Sequence, residues 1–442
     1  MQYFIELLSL CLLIFCVFNL VNKKITKPIL IIISYYVFED YVSFFAGYRI
    51  GEISVWKLFL DILFVLLFIY LFFIYLTKVN SQRKTTKREA AYYSFVLISI
   101  ALIPVGFFNN GFVLSVTGWR AIFLPIFLAE GLLLISRNRN DIKGDMHRLI
   151  SCIIIFAAIN SAASIWQYIY YDGDYTSVWR FDLLLEAKLA SNHNFLEHFM
   201  QYQIERGGKL RASGFMVSAL AASYFCAFGA LLTLYKLYAE RQKNHVKLFF
   251  ILIFLLLVGG VYVSQVRTSL IILILFPFIN YAVNTVKFKT SAILTFITVM
   301  LIFVAVLGLV FQGGLEASAL GRIDQYRILF TEVSFLGKGL GSYLSTFDSY
   351  YIHVFMVLGV FGILPNLYFL TKVIKVTRVI REDGQNGHLK VSLVLSIIMF
   401  LVFFVQHTAS SLYYFISLLV LFGAASYNSK SICFRASHLS VR

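Results

Sequence analysis

Apolar runs about as long as a bilayer is thick recur along the whole chain, and a water-soluble fold has no use for so many. They occupy residues 3–21, 28–47, 56–77, 91–110, 120–136, 149–170, 214–235, 248–264, 269–286, 290–311, 350–371, 391–406 and 411–427. A hydrocarbon layer of roughly 30 Å is crossed by about 20 helical residues. The pattern therefore predicts an all-α polytopic membrane protein with about 12–14 transmembrane helices, built as a single integral membrane domain over residues 1–442. The run 28–47 is the weakest, because Glu39 and Asp40 sit inside it. Composition supports the class: hydrophobic residues are 60% and charged residues 14% of the chain, against about 45–50% and 25% in soluble domains. Five prolines and 26 glycines exclude a collagen-like or low-complexity chain.

A net charge of +16 would suggest nucleic acid in a soluble protein, but here its distribution has another cause. Of the 38 Lys and Arg, 26 lie in alternate joints: Lys23 to Lys27, Lys78 to Arg88, Arg137 to Arg148, Lys236 to Lys247, Lys287 with Lys289, Lys372 to Lys390, and the basic tail 430–442. The other 12 lie in the joints between these. The positive-inside rule puts the basic set in the cytoplasm and the N-terminus outside, and leaves no call for a nucleic-acid partner. The first 22 residues have no basic leader and no small-residue cleavage site, so they read as an uncleaved span. Of the cysteines, four lie in apolar runs and Cys433 in the tail, with no CxxC or zinc spacing, so neither a disulfide framework nor a structural metal is expected.

Two outer segments are long, 171–213 and 312–349, and are expected to contain short helices. Most outward polar chemistry lies there, and no internal repeat points to a secondary transporter. Arg211 stands in Arg-Ala-Ser-Gly at the mouth of the seventh run, and Arg267 in Ser-Gln-Val-Arg-Thr between the eighth and ninth. A guanidinium at that depth can grip a lipid diphosphate with two parallel hydrogen bonds, although an interfacial anchor is the plainer explanation of any one such arginine taken alone. In the second segment Ile323, Tyr326, Phe330 and Val333 recur at helical spacing, which predicts a helix lying on the membrane surface with Arg322, Asp324 and Arg327 projecting from it. The plainer alternative is a solvated face with an Asp324–Arg327 pair. Gly337, Gly339 and Gly341 resemble a phosphate-cradling loop, or supply a turn that re-enters the membrane.

Asp348 precedes a span and His353 follows it a helical turn later. A carboxylate and an imidazole so spaced can orient each other as a base for an attacking hydroxyl; the alternative is Asp348 as the helix N-cap. Asp172-Gly-Asp174 reads as a turn rather than a metal site, and His193 with Glu197 lacks a third ligand. No metal and no cofactor are expected.

With those residues in view, the chain over roughly 205–370 resembles the O-antigen ligase and polymerase superfamily of bacterial envelope enzymes, which have about a dozen spans and two functional outer loops. The features that carry the resemblance are Arg211-Ala-Ser-Gly214, Ser264-Gln-Val-Arg267-Thr, the stretch Gly321-Arg322 to Gly341, and Asp348-Ser349. In the ligase branch a His followed by Asn, Ser or Gln precedes nine residues and then Gly-x-x-Gly. Here Asp348-Ser349, nine residues, and Gly359-Val-Phe-Gly362 reproduce that frame with Asp in place of His, which favours the Wzy-type polymerase branch.

The resemblance implies a metal-independent membrane glycosyltransferase of the bacterial inner membrane, acting at the periplasmic face. It would move a growing O-antigen, or a related surface polysaccharide, from undecaprenyl diphosphate onto a lipid-linked repeat unit. Its partners would be those lipid-linked donor and acceptor oligosaccharides, membrane lipids, and a chain-length regulator protein. Arg211, Arg267, Arg322 and Arg327 would contact the diphosphate, and Asp348 would orient or deprotonate the acceptor with His353 as helper. The competing readings are a ligase that transfers glycan to lipid A core, and a transporter or flippase of lipid-linked oligosaccharide.

Overall fold

Each predicted apolar run that falls within the described part of the chain is helical over most of its length. The computed structural model describes residues 1–22, 24–47, 54–80, 87–136, 142–170, 205–206, 209–216, 218–239, 244–285, 317–342, 349–382 and 387–405. The runs 290–311 and 411–427, the tail 430–442 and most of the segment 171–213 lie outside the described residues.

In chain order the helices are α1 (Gln2–Val21), α2 (Thr26–Phe45), α3 (Phe59–Asn80), α4 (Lys87–Ala101), α5 (Ile103–Asn110), α6 (Phe112–Ser136) and α7 (Ile142–Tyr170). A two-residue antiparallel ladder follows, β1 (Glu205–Arg206) with β2 (Lys209–Leu210). Then come α8 (Ala219–Ala239), α9 (Asn244–Val263), α10 (Arg267–Thr285), α11 (Ala317–Glu332), α12 (Tyr350–Leu358), the 3₁₀ turn Gly359–Gly362, α13 (Ile363–Glu382) and α14 (Gly387–Val405).

Among the described residues, eight helical stretches are long and apolar enough to cross a membrane, with α4 and α5 forming one of them. Another runs from Tyr350 through the 3₁₀ turn to Tyr368. The protein is an all-α multi-pass membrane protein. Several boundaries differ from expectation: α7 starts at Ile142, α8 begins only at Ala219, and α13 runs on to Glu382. The stretch 111–119, read as a joint, is helical from Phe112, and a single residue, Gly111 at φ +84°, separates α5 from α6.

The chain forms two compact units. The first comprises Met1–Leu66 and Lys143–Phe276. Its most enclosed helix is α8, with 83% of its membrane window buried against 22% for α9 and 28% for α1. Small residues let the backbones approach, as is usual where lipid gives helices no hydrophobic reason to associate. A Cβ on Gly229 would sit 2.5 Å from that of Ala157, and one on Gly260 would collide with Ser161 Oγ. Ser161 Oγ also donates to the Leu256 carbonyl at 2.6 Å, so α7 is bound to α9 at that depth. Nearer the N-terminus, Glu6 accepts from the Val55 N–H at 2.8 Å, and Tyr35 stacks on Phe59 while its hydroxyl donates to the Trp56 carbonyl at 2.9 Å.

The second unit comprises Leu67–Ile142 and Pro277–Arg442. An aromatic seam of Phe95, Trp119, Phe123, Phe127 and Tyr368 packs its helices, and Trp119 Nε1 donates to Ser99 Oγ at 3.1 Å. Here α12 packs on α14: the rings of Tyr350 and Phe403 lie 4.7 Å apart, and the Tyr351 hydroxyl donates to the Phe400 carbonyl at 3.1 Å.

Candidate functional site

In the first unit, the segment after β2 turns sharply and is held by side chains of α7. Gly214 takes φ +65° and presses against Asn160 and Ser164, with room for no side chain. Gln167 Oε1 accepts from the N–H groups of Ser213 at 3.2 Å and Gly214 at 2.8 Å, and its Nε2 donates to the Gly214 carbonyl at 2.9 Å. Asn160 Oδ1 accepts from the Phe215 N–H at 2.9 Å. Asn160, Ser164 and Gln167 are four and then three residues apart, so they form one stripe on α7 that reads the backbone of 213–215. Arg211 leads into this clamp and is itself buried, with 4% exposure. A buried arginine loses less side-chain freedom than an exposed one when it meets a ligand.

The same segment is tied to the second motif. The Ala212 N–H donates to the Val263 carbonyl at 3.2 Å, at the end of α9. The turn that follows is tight: Gln265 has φ +57°, an uncommon conformation for a residue with a side chain, and Ser264 Oγ donates back to the Gly260 carbonyl at 2.6 Å. Arg267 begins α10 and is exposed. A cation at a helix N-terminus opposes the helix dipole, and its placement has an electrostatic purpose when an anion binds there. Hydroxyls line the neighbouring face, where Tyr224 donates to Thr268 at 2.6 Å and Ser223 shares a hydrogen bond with Ser269 at 2.5 Å. The two arginine motifs, whose arginines stand 56 residues apart in sequence, thus meet through this hydrogen bond.

In the second unit, α11 carries Arg322 and Arg327 and packs on α12 through Tyr326, Ile328 and Leu329 against Ile352 and Met356. Arg327 and Asp324 are exposed. The expected surface-lying face is therefore divided. Tyr326 turns to the protein, while Phe330 and Val333 are 82% and 44% exposed. The Tyr326 hydroxyl donates to Ser349 Oγ at 3.3 Å, and Ser349 Oγ donates to the Phe403 carbonyl at 3.1 Å. Burial pushes the Tyr326 phenol above its ordinary range, so it stays a donor.

The cap of α12 is Ser349, whose hydroxyl accepts from the Ile352 N–H; Asp348 does not serve as the N-cap and lies outside the described residues. His353 is buried on α12, with 3% exposure. The six candidates consequently fall on both units: Arg211 and Arg267 on the first, and Arg322, Arg327 and His353 on the second, with Asp348 belonging to the second by its sequence range.

The glycine-rich stretch is not an open anion cradle. The N–H groups of Lys338 and Gly339 donate to the Met356 and Val357 carbonyls, both at 2.9 Å, and that of Gly337 to Ser334 at 3.1 Å. Gly337, Gly339 and Gly341 all have φ between +72° and +89°, and any Cβ there would strike backbone of α12, α5 or α6. Asn110 Nδ2 faces three successive carbonyls, Lys338, Gly339 and Leu340, at 3.2, 3.4 and 3.1 Å. The loop is a plug that spends the amides of Gly337, Lys338, Gly339 and Ser342 on the protein.

Asn160, Gln167, Asn109 and Asn110 were missed as candidates. Their only trace in the sequence is amide side chains inside or beside apolar runs, with Asn160 and Gln167 at helical spacing. Among the described residues no three His, Cys, Asp or Glu side chains gather as a metal group. Asp172, Asp174, His193 and Glu197 lie outside them. In comparisons with known proteins, no family model, no curated protein and no solved structure matches this chain.

Proposed function

We propose that the chain is a polymerase of a lipid-linked surface glycan, of the O-antigen type, in the bacterial inner membrane with its site on the periplasmic face. The observation that carries this reading is the joining of the Arg211 and Arg267 motifs through Ala212 and Val263, with Arg211 buried just ahead of a clamped turn and Arg267 at a helix N-terminus. Two such cations suit a diphosphate at headgroup depth.

In the reaction, an acceptor sugar hydroxyl attacks the anomeric carbon of the growing glycan. The bond from that carbon to the diphosphate oxygen breaks, and undecaprenyl diphosphate leaves with the electron pair. The acceptor proton passes to a base, for which Asp348 is the candidate with His353 beside it in sequence. Diphosphate is a good leaving group, so stabilising its charge and orienting the acceptor are the main demands. Arg211 and Arg267 are assigned to the first, and the sequence resemblance alone adds Arg322 and Arg327 there and Asp348 to the second.

Purified protein in liposomes, given a defined undecaprenyl-diphosphate-linked repeat, should make longer chains. Movement of that substrate across the bilayer without growth would replace the enzyme with a transporter. Removal of the gene separates polymerase from ligase: loss of a polymerase leaves lipid A core capped by one repeat, whereas bare core with glycan stranded on the carrier would assign ligation. Asp348→Asn tests the base, since it keeps size and removes the basic carboxylate; turnover should fall about 100-fold or more.

A further inference from the structure

The second unit carries exposed apolar side chains that no candidate role uses, on the last turn of α11 and the stretch that joins it to the glycine plug. Phe330, Val333, Phe335 and Leu336 are 82%, 44%, 70% and 48% exposed, and none of them belongs to a membrane-spanning helix. We propose that residues 330–342 form a re-entrant arm that enters the bilayer beside the broken span of α12 and α13, with these four side chains against the acyl chains of bilayer lipid.

Depth is the first argument. The stretch Tyr350–Tyr368 is apolar enough to cross a membrane, and it is interrupted by the 3₁₀ turn at Gly359–Gly362. That interruption frees helical backbone groups in mid-span, and the arm supplies their partners. Lys338 and Gly339 donate to the Met356 and Val357 carbonyls, and the Val360 N–H donates to the Phe335 carbonyl at 3.0 Å. Met356 and Val360 are six and ten residues beyond Tyr350, which at about 1.5 Å per residue is roughly 9 to 15 Å along the span. An arm bonded there by its main chain shares that depth.

Satisfaction of the backbone is the second. Irregular chain at membrane depth is tolerated where protein pairs its polar groups. Here α12 and the 3₁₀ turn take the N–H groups of 338 and 339 and the carbonyl of 335, while the amides of Asn109 and Asn110 take the carbonyls of 338 to 340.

Continuity names the occupant. The Phe335 ring lies 6.3 Å from that of Phe361, and the span beside it presents Val360, Ile363 and Leu367 at 45%, 46% and 44% exposure. Phe335 and Leu336 extend a surface that in a spanning helix faces lipid. The two charges of the arm, Glu332 and Lys338, are both exposed. The lysine stem is long enough to carry its ammonium toward headgroups, and Glu332 ends α11, where the arm leaves the interface.

The test uses the full-length protein in liposomes with no glycolipid substrate present, so that only bilayer lipid can occupy the surface. An environment-sensitive fluorescent amino acid is introduced at Phe335, at Phe330, and at Asp324 as a control on the same helix. Both apolar positions are exposed, so replacement removes little packing, and the Phe330 variant serves if the Phe335 variant fails to assemble. Probes at 335 and 330 should lose emission to nitroxide lipid labelled on the acyl chain and ignore aqueous iodide; the probe at 324 should do the reverse. Quenching by iodide at 335 and 330 would put the arm in water. Quenching by neither agent would mean that protein covers it. Either result overturns the proposal.

Discussion

Gln167 serves three backbone groups of the turn that presents Arg211, and that makes it the most informative single side chain in the first unit. Gln167→Leu keeps the volume but strands two buried N–H groups and a carbonyl, at about 1–3 kcal/mol for each group left unsatisfied. Thermal unfolding in detergent should fall accordingly, and chain growth should be lost with it. Gln167→Glu keeps the acceptor for both N–H groups and should recover part of the stability. Arg267 is exposed, so Arg267→Ala should leave expression unchanged while abolishing chain growth, and Arg267→Lys should rescue poorly, because lysine keeps the charge without the planar fork. Full activity in the alanine variant would make Arg267 an anchor. The arginines were legible in the sequence because a charge beside an apolar run stands out. The clamp was not, because Asn160 and Gln167 bond to main chain 46 to 55 residues away, and a backbone partner has no residue type to recognise.

Among the elements, the helices were legible almost throughout, since a long apolar run can satisfy its own backbone in lipid only as helix. What failed was fine detail that packing decides. The stretch after Asn110, read as a joint, continues as α6 because one glycine suffices for the turn, and α11 half-buries Tyr326 and Leu329 because Ile352 and Met356 offer them a surface that spacing alone does not reveal. The glycine plug gives a direct test of how rigid that packing is. Gly339 has φ +88° and a Cβ there would lie 2.8 Å from Gly106 Cα; Gly111 has φ +84° with open space around it. Gly111, with ψ 164°, lies in a region that is essentially glycine-only, so Gly111→Ala should cost the backbone conformation alone, about 1–3 kcal/mol. Gly339→Ala should cost about 1–3 kcal/mol more from overpacking. Equal losses in thermal unfolding would show that the plug yields to an extra methyl group.

For the molecule as a whole, the division of 26 basic residues against 12 predicts an outer N-terminus and a cytoplasmic C-terminus. Reporter fusions should put residues 171–213 and 312–349 outside; either segment in the cytoplasm would end the proposed reaction, because the glycan would be on the wrong side. The hydrogen bonds of Asn110 also set an order of assembly. Its amide waits for carbonyls that emerge 228 to 230 residues later, a delay of roughly 10 to 50 s at ordinary rates of synthesis. During that interval the α5–α6 hairpin is in the bilayer with its gap unfilled, so the insertion machinery must shelter a half-built wall until the ribosome has passed the glycines, and a message truncated before them leaves a protein that spans the membrane many times but never closes.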